Sequence, residues 1–347
     1  MLEIDGGRFS GSGTIVRYGL ALAAVLRQTI RIVNIRAKRK APGLRPQHLA
    51  GVRACEALTR GRAERAAVGA REITFFPGRT IHGGRYTFEI GTAGSTTMLA
   101  YSLLPLGLFA DGPCHIRLAG GVFQDCAPGF FHLQHVLLPL LQRMGVAAEL
   151  RLLTPGYVPR GGGVIELDIT PLSSPLRPIE LVTQGTLRKV EGIAMASRLK
   201  ARNVAQRMAA AGRQTLREHS LSVEIAIGEM DDTTSAHPGA ALAMWGATDA
   251  GCLIGADMAG ALGRPAERIG QTVARRLLED LRSGATVDRH VADQLILFAA
   301  LAHGASRYRI PRLTEHVETN LWLISQLVGA TSRIDGHWIE IRGSGRG

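Results

Sequence analysis

The chain has 347 residues, of which 46% are hydrophobic, so it can bury a sizeable core but is long for a single one. We therefore expect two domains or several repeated units. Lysine and arginine number 41 against 29 aspartates and glutamates, and the formal net charge of +12 favours polyanions such as nucleic acid or nucleotides as partners, although a soluble basic protein has the same composition.

Cysteine spacing and the N-terminal residues bear on the compartment. The four cysteines, Cys55, Cys114, Cys126 and Cys252, lie far apart without a CxxC pair, which argues against a zinc site or a disulfide framework. The first residues lack the basic and apolar regions of a signal peptide, and no run approaches the roughly 20 apolar residues that span a bilayer. We expect a cytoplasmic protein with no membrane partner.

The first half of the chain alternates strand-like and helix-like segments, separated by Gly and Pro breaks. The predicted strands are 2–4, 30–35, 72–76, 85–90, 114–118, 147–152 and 164–169, and the predicted helices are 14–27, 45–59, 130–144 and one opened by 91–95 that ends at 108. The recurrence of strand, glycine-rich turn and helix predicts an α/β (α+β) fold made of repeated units, each with two helices packed on a four-stranded sheet.

The pattern changes at a Pro/Ser-rich joint, residues 171–175, which marks a boundary. The segments that follow are predicted strands at 192–196, 222–227 and 240–245 and predicted helices at 201–216, 267–283 and 291–302. We interpret the chain as a main body, residues 1–178 and 266–347, interrupted by an inserted smaller α/β domain at residues 179–265. No motif indicates what the insert does.

Residues 6–14 form a glycine-rich loop before the first helix. Successive glycines let backbone N–H groups converge on an anion at a helix N-terminus. The Gly-Lys-Ser/Thr of a Walker A loop does not follow, and such a loop taken alone is also typical of a tight turn. Arg17 lies one helical turn beyond Gly13, where its charge would turn the loop into an anion site.

A dense cluster of basic side chains follows at residues 36–48. Counting both lysines and His48, six basic side chains lie here around a Pro-Gly turn. Arg36 and Arg39 can present bidentate forks to phosphate oxygens, which lysine cannot. A basic surface loop without a ligand is the alternative.

One histidine stands at the start of a predicted helix near the C-terminus. Thr314 is the predicted N-cap, and Val317, Leu321 and Ile324 repeat at helical spacing. His316 therefore lies on the first turn, as a candidate catalyst or an ordinary surface residue. The pair His132 and His135 lacks a third ligand at matching spacing, so we do not expect a metal there.

The basic stretch reads Ile35-Arg36-Ala37-x-Arg39-x-x-Pro42-Gly43-Leu44-x-x-Gln47-His48-Leu49. The other motifs are Asp5-Gly6 with Arg17, Phe76-Pro77-Gly78, Gly91-Thr92-Ala93-Gly94-Ser95, Phe109-Ala110-Asp111-Gly112-Pro113, Gly120-Gly121, Tyr157-x-x-x-Gly161-Gly162-Gly163, Ala292-Asp293-Gln294-Leu295 and His316-x-x-Thr319-Asn320. In this order the set resembles the RNA 3′-terminal phosphate cyclase family over nearly all of the chain outside the insert.

The resemblance implies a three-step reaction with ATP and RNA 3′-phosphate ends as partners. His316 matches the nucleophile that attacks the α-phosphorus of ATP and becomes a histidinyl-AMP; AMP then passes to the RNA 3′-phosphate, and the ribose 2′-OH displaces it to leave a 2′,3′-cyclic phosphate. The matching nucleotide-site positions are Arg17, Arg36, Arg39, Gln47, Tyr101 and Asp293. Asp293 would also hold a divalent metal, Mg²⁺ or Mn²⁺. An oligomer is compatible with the sequence.

The first loop departs from the family pattern. The family has Gly-Glu-Gly-Gly-Gly-Gln where this chain has residues 9–14; Ser10 replaces a metal-binding carboxylate, Thr14 replaces a glutamine, and Tyr101 replaces a second glutamine. These changes bear on metal affinity, nucleotide choice and activity. Two alternatives stay open: a cyclase-like protein of weak or no activity that binds RNA or assists ribonucleoprotein assembly, and an enzyme on the related enolpyruvyl-transferase architecture, against which the signature at residues 36–48 argues.

Overall fold

The first unit of the fold is a four-stranded sheet with two helices on one face. The computed structural model describes residues 1–125, 127–219 and 224–345. The elements of this unit are β1 (Leu2–Asp5), α1 (Gly13–Leu26), β2 (Ile30–Val33), α2 (Pro46–Thr59), β3 (Arg62–Glu64) and β4 (Ile73–Phe76). The strand order is β1-β2-β4-β3, with β1 and β2 parallel and the other pairs antiparallel.

The second unit repeats this plan. Its elements are β5 (Gly84–Glu89), α3 (Thr96–Leu108), β6 (Cys114–Gly120), α4 (Phe130–His132), a π-helical turn (Leu133–Leu137), α5 (Leu138–Arg143), β7 (Ala147–Thr154) and β8 (Gly163–Thr170). The order β5-β6-β8-β7 has the same parallel first pair and antiparallel later pairs. The segment 130–143 is continuous, so the single predicted helix at 130–144 is present with a π turn inside it.

The third unit starts with β9 (Glu180–Leu181) and is interrupted by the insert. The elements of the insert are β10 (Leu187–Ser197), α6 (Val204–Glu218), β11 (Glu224–Asp232), β12 (Gly239–Thr248), β13 (Leu253–Ala259) and α7 (Ala266–Arg282). Its strand order is β11-β10-β12-β13. The first two residues of the predicted strand at 222–227 lie outside the described residues, and the rest belong to β11. Cys126 also lies outside the described residues.

The third unit resumes after the insert. Its remaining elements are α8 (Val291–Leu301), β14 (Ala305–Arg309), α9 (Glu315–Leu327), β15 (Thr331–Asp335) and β16 (Trp338–Arg342). The sheet order, read from β9, is β9-β14-β16-β15, with β9 and β14 parallel. The three body sheets therefore share one topology, and the α/β (α+β) class with pairs of helices on four-stranded sheets is confirmed.

Two buried apolar clusters hold the molecule together. One joins the three body units, and the second lies between the insert's sheet and its helices α6 and α7. The other face of that sheet packs on the body through Ala241, Ala243 and Trp245. Because both faces of β12 are covered, that strand is apolar along nearly its whole length, whereas the body strands alternate buried and exposed residues.

The division into a body and an inserted domain remains a prediction, and the packing bears on its limits. Residues 180–181, at the start of the predicted insert, pair with β14 of the body. Helix α7, assigned to the body from the sequence, places Ile269, Val273 and Leu277 in the insert's cluster. The Gln184 side chain donates hydrogen bonds to the carbonyls of Leu281 (2.9 Å) and Ala285 (2.6 Å), so the chain enters and leaves the insert at one place.

Within the described residues, no helix is long and apolar enough to cross a membrane.

Candidate functional site

The first helices of the three units, α1, α3 and α8, meet through the rings of Tyr18, Tyr101 and Phe298, and the loop at residues 6–13 leads directly into α1. Ser12 caps α1 by accepting a hydrogen bond from Thr14 N (3.3 Å). Gly13 is required by close approach, because a Cβ atom there would collide with the His48 ring. The loop is thus held against α2 by a contact that only glycine permits.

Arg17 lies one turn into α1 and is largely buried. Its Nη2 donates to Thr14 Oγ1 at 3.4 Å, while its Nε has no hydrogen-bond partner among the described residues. Burial lowers the pKa of Arg17, and the charge of Asp293 acts in the opposite direction. A guanidinium with an unpaired buried N–H is suited to an anionic ligand.

Asp293 connects α8 to the helix that carries His316. The Asn320 side chain of α9 donates to the Asp293 carbonyl (2.9 Å) and lies 3.5 Å from its Oδ2. Burial raises the pKa of Asp293 to about 7, against the opposing charge of Arg17. Asn320 Oδ1 is a second buried atom without a partner among the described residues. Such unsatisfied atoms at a junction of helices fit a site for a polar ligand.

His316 lies on the first turn of α9, as predicted, and Thr314 is confirmed as the N-cap by its hydrogen bond from Val317 N (3.3 Å). The side chain is exposed, but neighbouring groups displace part of its water. This desolvation lowers the pKa of His316, and the charges of Arg17 and Arg39 lower it further, while Glu315 raises it. The site therefore favours the neutral imidazole, the form that acts as a nucleophile.

The basic stretch is a compact loop before α2. Arg36 has a left-handed backbone (φ 53°) and donates to the carbonyls of Ala41 (2.6 Å) and Gly43 (3.0 Å), so part of its fork is used within the loop. Burial and then the charges of Arg45, Arg39 and Arg17 lower its pKa. These cations have no ion pair with a carboxylate of the described residues. The uncompensated charge favours an anionic ligand.

His48 does not add to this positive charge, which corrects the count made from the sequence. Its ring is buried and its Nδ1 accepts a hydrogen bond from Arg45 N (3.0 Å). Burial and the charges of Arg17, Arg36 and Arg45 lower the pKa of His48 to about 2, so it is neutral. The neighbouring Gln47 accepts from Ser95 N (3.0 Å) and so joins α2 to the start of α3.

Tyr101 is placed inside the core. Its hydroxyl donates to the Gln294 carbonyl at 2.5 Å, and its ring packs on Tyr18, with centroids 5.3 Å apart, and on Phe298. Burial raises its pKa well above the usual range. Arg17, Tyr101 and Asp293 lie on α1, α3 and α8, which are equivalent helices of the three units. The structure thus brings these positions to one junction, with Tyr101 on its buried side.

Ser10 and Thr319 were not chosen as site residues from the sequence. Ser10 Oγ lies 3.0 Å from Thr319 Oγ1 and 3.2 Å from Ser12 Oγ. The spacing in the sequence could have identified Thr319. His316, Thr319 and Asn320 stand at positions i, i+3 and i+4, which share one face of a helix. This face of α9 contacts both the N-terminal loop and α8.

The residues present restrict how a metal could be held. Among the described residues no group of three or more His, Cys, Asp or Glu side chains could hold a metal ion. Asp293 is one carboxylate, and with a pKa of about 7 a proton competes for it. Mg²⁺ often takes one or two carboxylates and completes its shell with phosphate oxygens and water. Asp293 fits a metal that arrives with a nucleotide, but not an all-protein site.

Fold and site together define a class of α+β proteins in which repeated two-helix units surround a junction that carries arginines, one carboxylate and a histidine at the start of a helix. The family model described as RNA 3′-terminal phosphate cyclase matches residues 8–334. Curated relatives of the same name come from Hyperthermus butylicus (40% identical, 94% of this chain, 92% of the relative), Korarchaeum cryptofilum (37%, 99%, 98%) and Nitrosospira multiformis (38%, 99%, 96%). The chain belongs to the RNA 3′-terminal phosphate cyclase family.

A solved structure, the enolpyruvyl transferase NikO from Streptomyces tendae, aligns with 99% of this chain and 51% of its own at 14% identity. The TM-score of 0.27 is too low to indicate a shared fold.

Proposed function

We propose that the protein converts RNA 3′-phosphate ends to 2′,3′-cyclic phosphates at the expense of ATP, through a covalent histidinyl-AMP. The observation that carries this proposal is His316: a histidine on a capped helix start whose neutral form is favoured by the charges of Arg17 and Arg39. The same cations that keep the ring neutral would attract the triphosphate it attacks.

In the first step, the lone pair of an unprotonated nitrogen of His316 attacks the α-phosphorus of ATP. A P–N bond forms, the P–O bond to the β-phosphate breaks, and pyrophosphate leaves. The negative charge that develops on the leaving group would be stabilised by Arg17, Arg36 and Arg39. Gln47, beside the Arg36 loop, would line the same nucleotide site.

In the second step, an oxygen of the RNA 3′-phosphate attacks the same phosphorus, the P–N bond breaks and the ring is regenerated. In the third step, the ribose 2′-oxygen attacks the RNA phosphorus, a cyclic P–O bond forms, and AMP leaves while the hydroxyl proton passes to solvent or a nearby base. Adenylylation is needed because a free phosphate monoester repels nucleophiles and lacks a good leaving group.

A divalent metal, Mg²⁺ or Mn²⁺, would bind with ATP and neutralise phosphate charge. Asp293 would supply one ligand in its ionised form. Asn320 would orient Asp293, since its amide already donates to the Asp293 carbonyl (2.9 Å) and lies 3.5 Å from Asp293 Oδ2.

The test is covalent labelling with ATP that carries its label on the α-phosphate. Incubation with Mg²⁺ or Mn²⁺ should give a protein adduct that is labile to acid and stable to alkali, as a phosphoramidate is. His316→Ala should abolish it, whereas His303→Ala, which removes an exposed histidine after α8, should leave it unchanged. If no nucleoside triphosphate labels the protein, the cyclase proposal fails.

A second candidate, an RNA-binding relative with weak or no cyclase activity, is favoured by Ser10. Its hydroxyl is engaged with Thr319, and no carboxylate stands in that loop position. RNA binding by an unlabelled protein would support this alternative.

A further inference from the structure

Phe9 has an unusual backbone conformation beside the proposed site. Its φ is +46°, in the left-handed region that residues with a side chain rarely adopt. The conformation is held in place because the next residue, Ser10, is bonded to Thr319 and because Lys38 Nζ donates to the Phe9 carbonyl at 3.0 Å. A strained residue that two contacts hold in place indicates that the position of its ring matters.

The Phe9 ring belongs to a cluster with Arg8 and Trp322. The Phe9 and Trp322 rings meet edge to face with centroids 6.1 Å apart, and the Arg8 guanidinium carbon lies 5.1 Å from the Phe9 centroid and 5.2 Å from that of Trp322. Arg8 is exposed and both rings are partly exposed. Arg8 has no ion pair with a carboxylate in the described part of the chain. We call these three residues the Arg8 cluster.

The Arg8 cluster contacts the basic loop through Lys38 and shares helix α9 with His316. Trp322 lies six residues beyond His316 on α9, about 9 Å along the helix axis. Thr319, midway between them, contacts Ser10, which follows Phe9 directly. Lys38 extends from the basic loop to Phe9. A nucleotide chain with its 3′ end at His316 can therefore reach the cluster within a few nucleotides.

We propose that the Arg8 cluster is a stacking platform for one unpaired base within the last few nucleotides of the RNA 3′ end. Aromatic rings and guanidinium planes are the groups on which proteins stack splayed bases. The exposed Lys40 would neutralise a flanking phosphate. Charge selects the occupant: Arg8 and Lys40 are exposed and neither pairs with a carboxylate among the described residues, so this surface fits a polyanion. The platform rests on the proposed function, since it takes the substrate end of the same site.

The experiment measures binding of a 5′-labelled, 3′-phosphorylated single-stranded oligoribonucleotide to the full chain without ATP. Phe9→Gly and Trp322→Leu should each weaken binding by on the order of tenfold. Phe9→Gly is the sharper variant, because glycine adopts the left-handed backbone readily and so keeps the loop. Trp338→Leu is the matched control, since Trp338 also packs under an arginine, Arg307 at 4.9 Å, but on the sheet face turned away from the helices. It should bind as the wild type does.

Abasic substitutions at successive positions from the 3′ end identify the base. The wild type should lose affinity at one of the last few positions, and Phe9→Gly should be insensitive there. The proposal is overturned if Phe9→Gly binds like the wild type, or if no abasic position weakens wild-type binding. RNA binding is measured without nucleotide, so it does not depend on the labelling experiment. Failure to form the His316 adduct would refute the proposed cyclase activity and leave the binding result valid. A normal adduct together with wild-type RNA binding by Phe9→Gly would refute only the platform.

Discussion

Ser10 and Thr319 join the two ends of the chain, because their hydroxyl oxygens lie 3.0 Å apart in a buried setting. Ser10 follows Phe9 within the glycine-rich loop, and Thr319 lies one turn after His316 on α9. The hydrogen bond therefore fixes the helix of the proposed nucleophile against the N-terminal loop. In this chain a serine ties the loop to α9 at the position where the family pattern has a carboxylate.

Ser10→Ala should lower the free energy of unfolding by about 1 kcal/mol, and Thr319→Val by a similar or larger amount, because each removes a buried hydrogen bond. The double variant should lose less than the sum, since both changes remove the same contact. Urea unfolding of the four proteins measures the coupling. Ser102→Ala, at another buried serine, is the control: its loss of unfolding free energy should add to that of Thr319→Val. If the losses of Ser10→Ala and Thr319→Val also add, the contact between the two hydroxyls is contradicted.

The rate of adduct formation should rise with pH through the neutral range. Burial raises the pKa of Asp293 to about 7, so ionisation of its carboxylate is half complete there, while the lowered pKa of His316 keeps the ring neutral to below its ordinary 6.5. Asp293→Asn should slow the reaction and remove the step near pH 7, leaving only the lower titration of His316. Single-turnover labelling between pH 5 and 9 separates the titration of Asp293 from that of His316.

Arg39→Gln should move the acid limb of that profile to higher pH. The Arg39 charge disfavours the imidazolium, so its removal lets the pKa of His316 return towards 6.5 and leaves less neutral ring at a given acid pH. Arg45→Gln removes a cation that acts on Arg36 and His48 instead, and it should leave the acid limb in place. Equal shifts in both variants would mean that Arg39 has no specific effect on His316.

His48 should make the fold sensitive to acid. The pKa of His48 is about 2 in the folded state and ordinarily 6.5 in the unfolded state. Below pH 6.5 the unfolded chain binds a proton that the folded chain does not, so the free energy of unfolding is highest above pH 6.5 and falls as the pH is lowered towards 2. The slope is about 1.4 kcal/mol per pH unit between these limits. His48→Asn, which keeps an acceptor for Arg45 N, should lose this slope. Denaturant unfolding at pH 6.5, 5.5 and 4.5 measures it, and parallel curves for both proteins would refute the assignment.

Tyr101→Phe should lower the free energy of unfolding by about 1 to 2 kcal/mol, because the Gln294 carbonyl loses its buried donor. The same variant tests whether Tyr101 belongs to the nucleotide site. An unchanged dependence of labelling on ATP concentration would confine Tyr101 to the core, and a higher requirement for ATP would place its hydroxyl at the nucleotide.

The fold class and family membership were predictable from the sequence, because glycine-rich turns, helical spacing and the motif around Arg36 are local signals. The capped helix of His316 was predictable for the same reason. The strands β3, β9 and β13 to β16 were not predicted. Several of them have only two to five residues, too few for alternation to show. Their partners, such as Leu181 and Tyr308, lie far apart in sequence.

Properties of the site that depend on burial could not be predicted. A histidine among arginines suggests extra positive charge, and only its burial against Gly13 makes His48 neutral. Likewise Tyr101 stands at a position matched to a nucleotide site, yet the aromatic packing that encloses it comes from helices of other units. The left-handed backbone of Phe9 has no sequence signal, because glycine or asparagine is the expected residue there.

Gln184 has a consequence for how the interrupted third unit assembles. Strand β9 must find β14 across the whole insert, and closing a loop of about 125 residues instead of about 25 costs roughly 1.4 kcal/mol in chain entropy. By donating hydrogen bonds to the carbonyls of Leu281 and Ala285, Gln184 holds together the segment that enters the insert and the segment that leaves it. Once the insert is folded, the chain between β9 and α8 behaves as a short connection, and the third sheet can close almost as readily as the two uninterrupted ones.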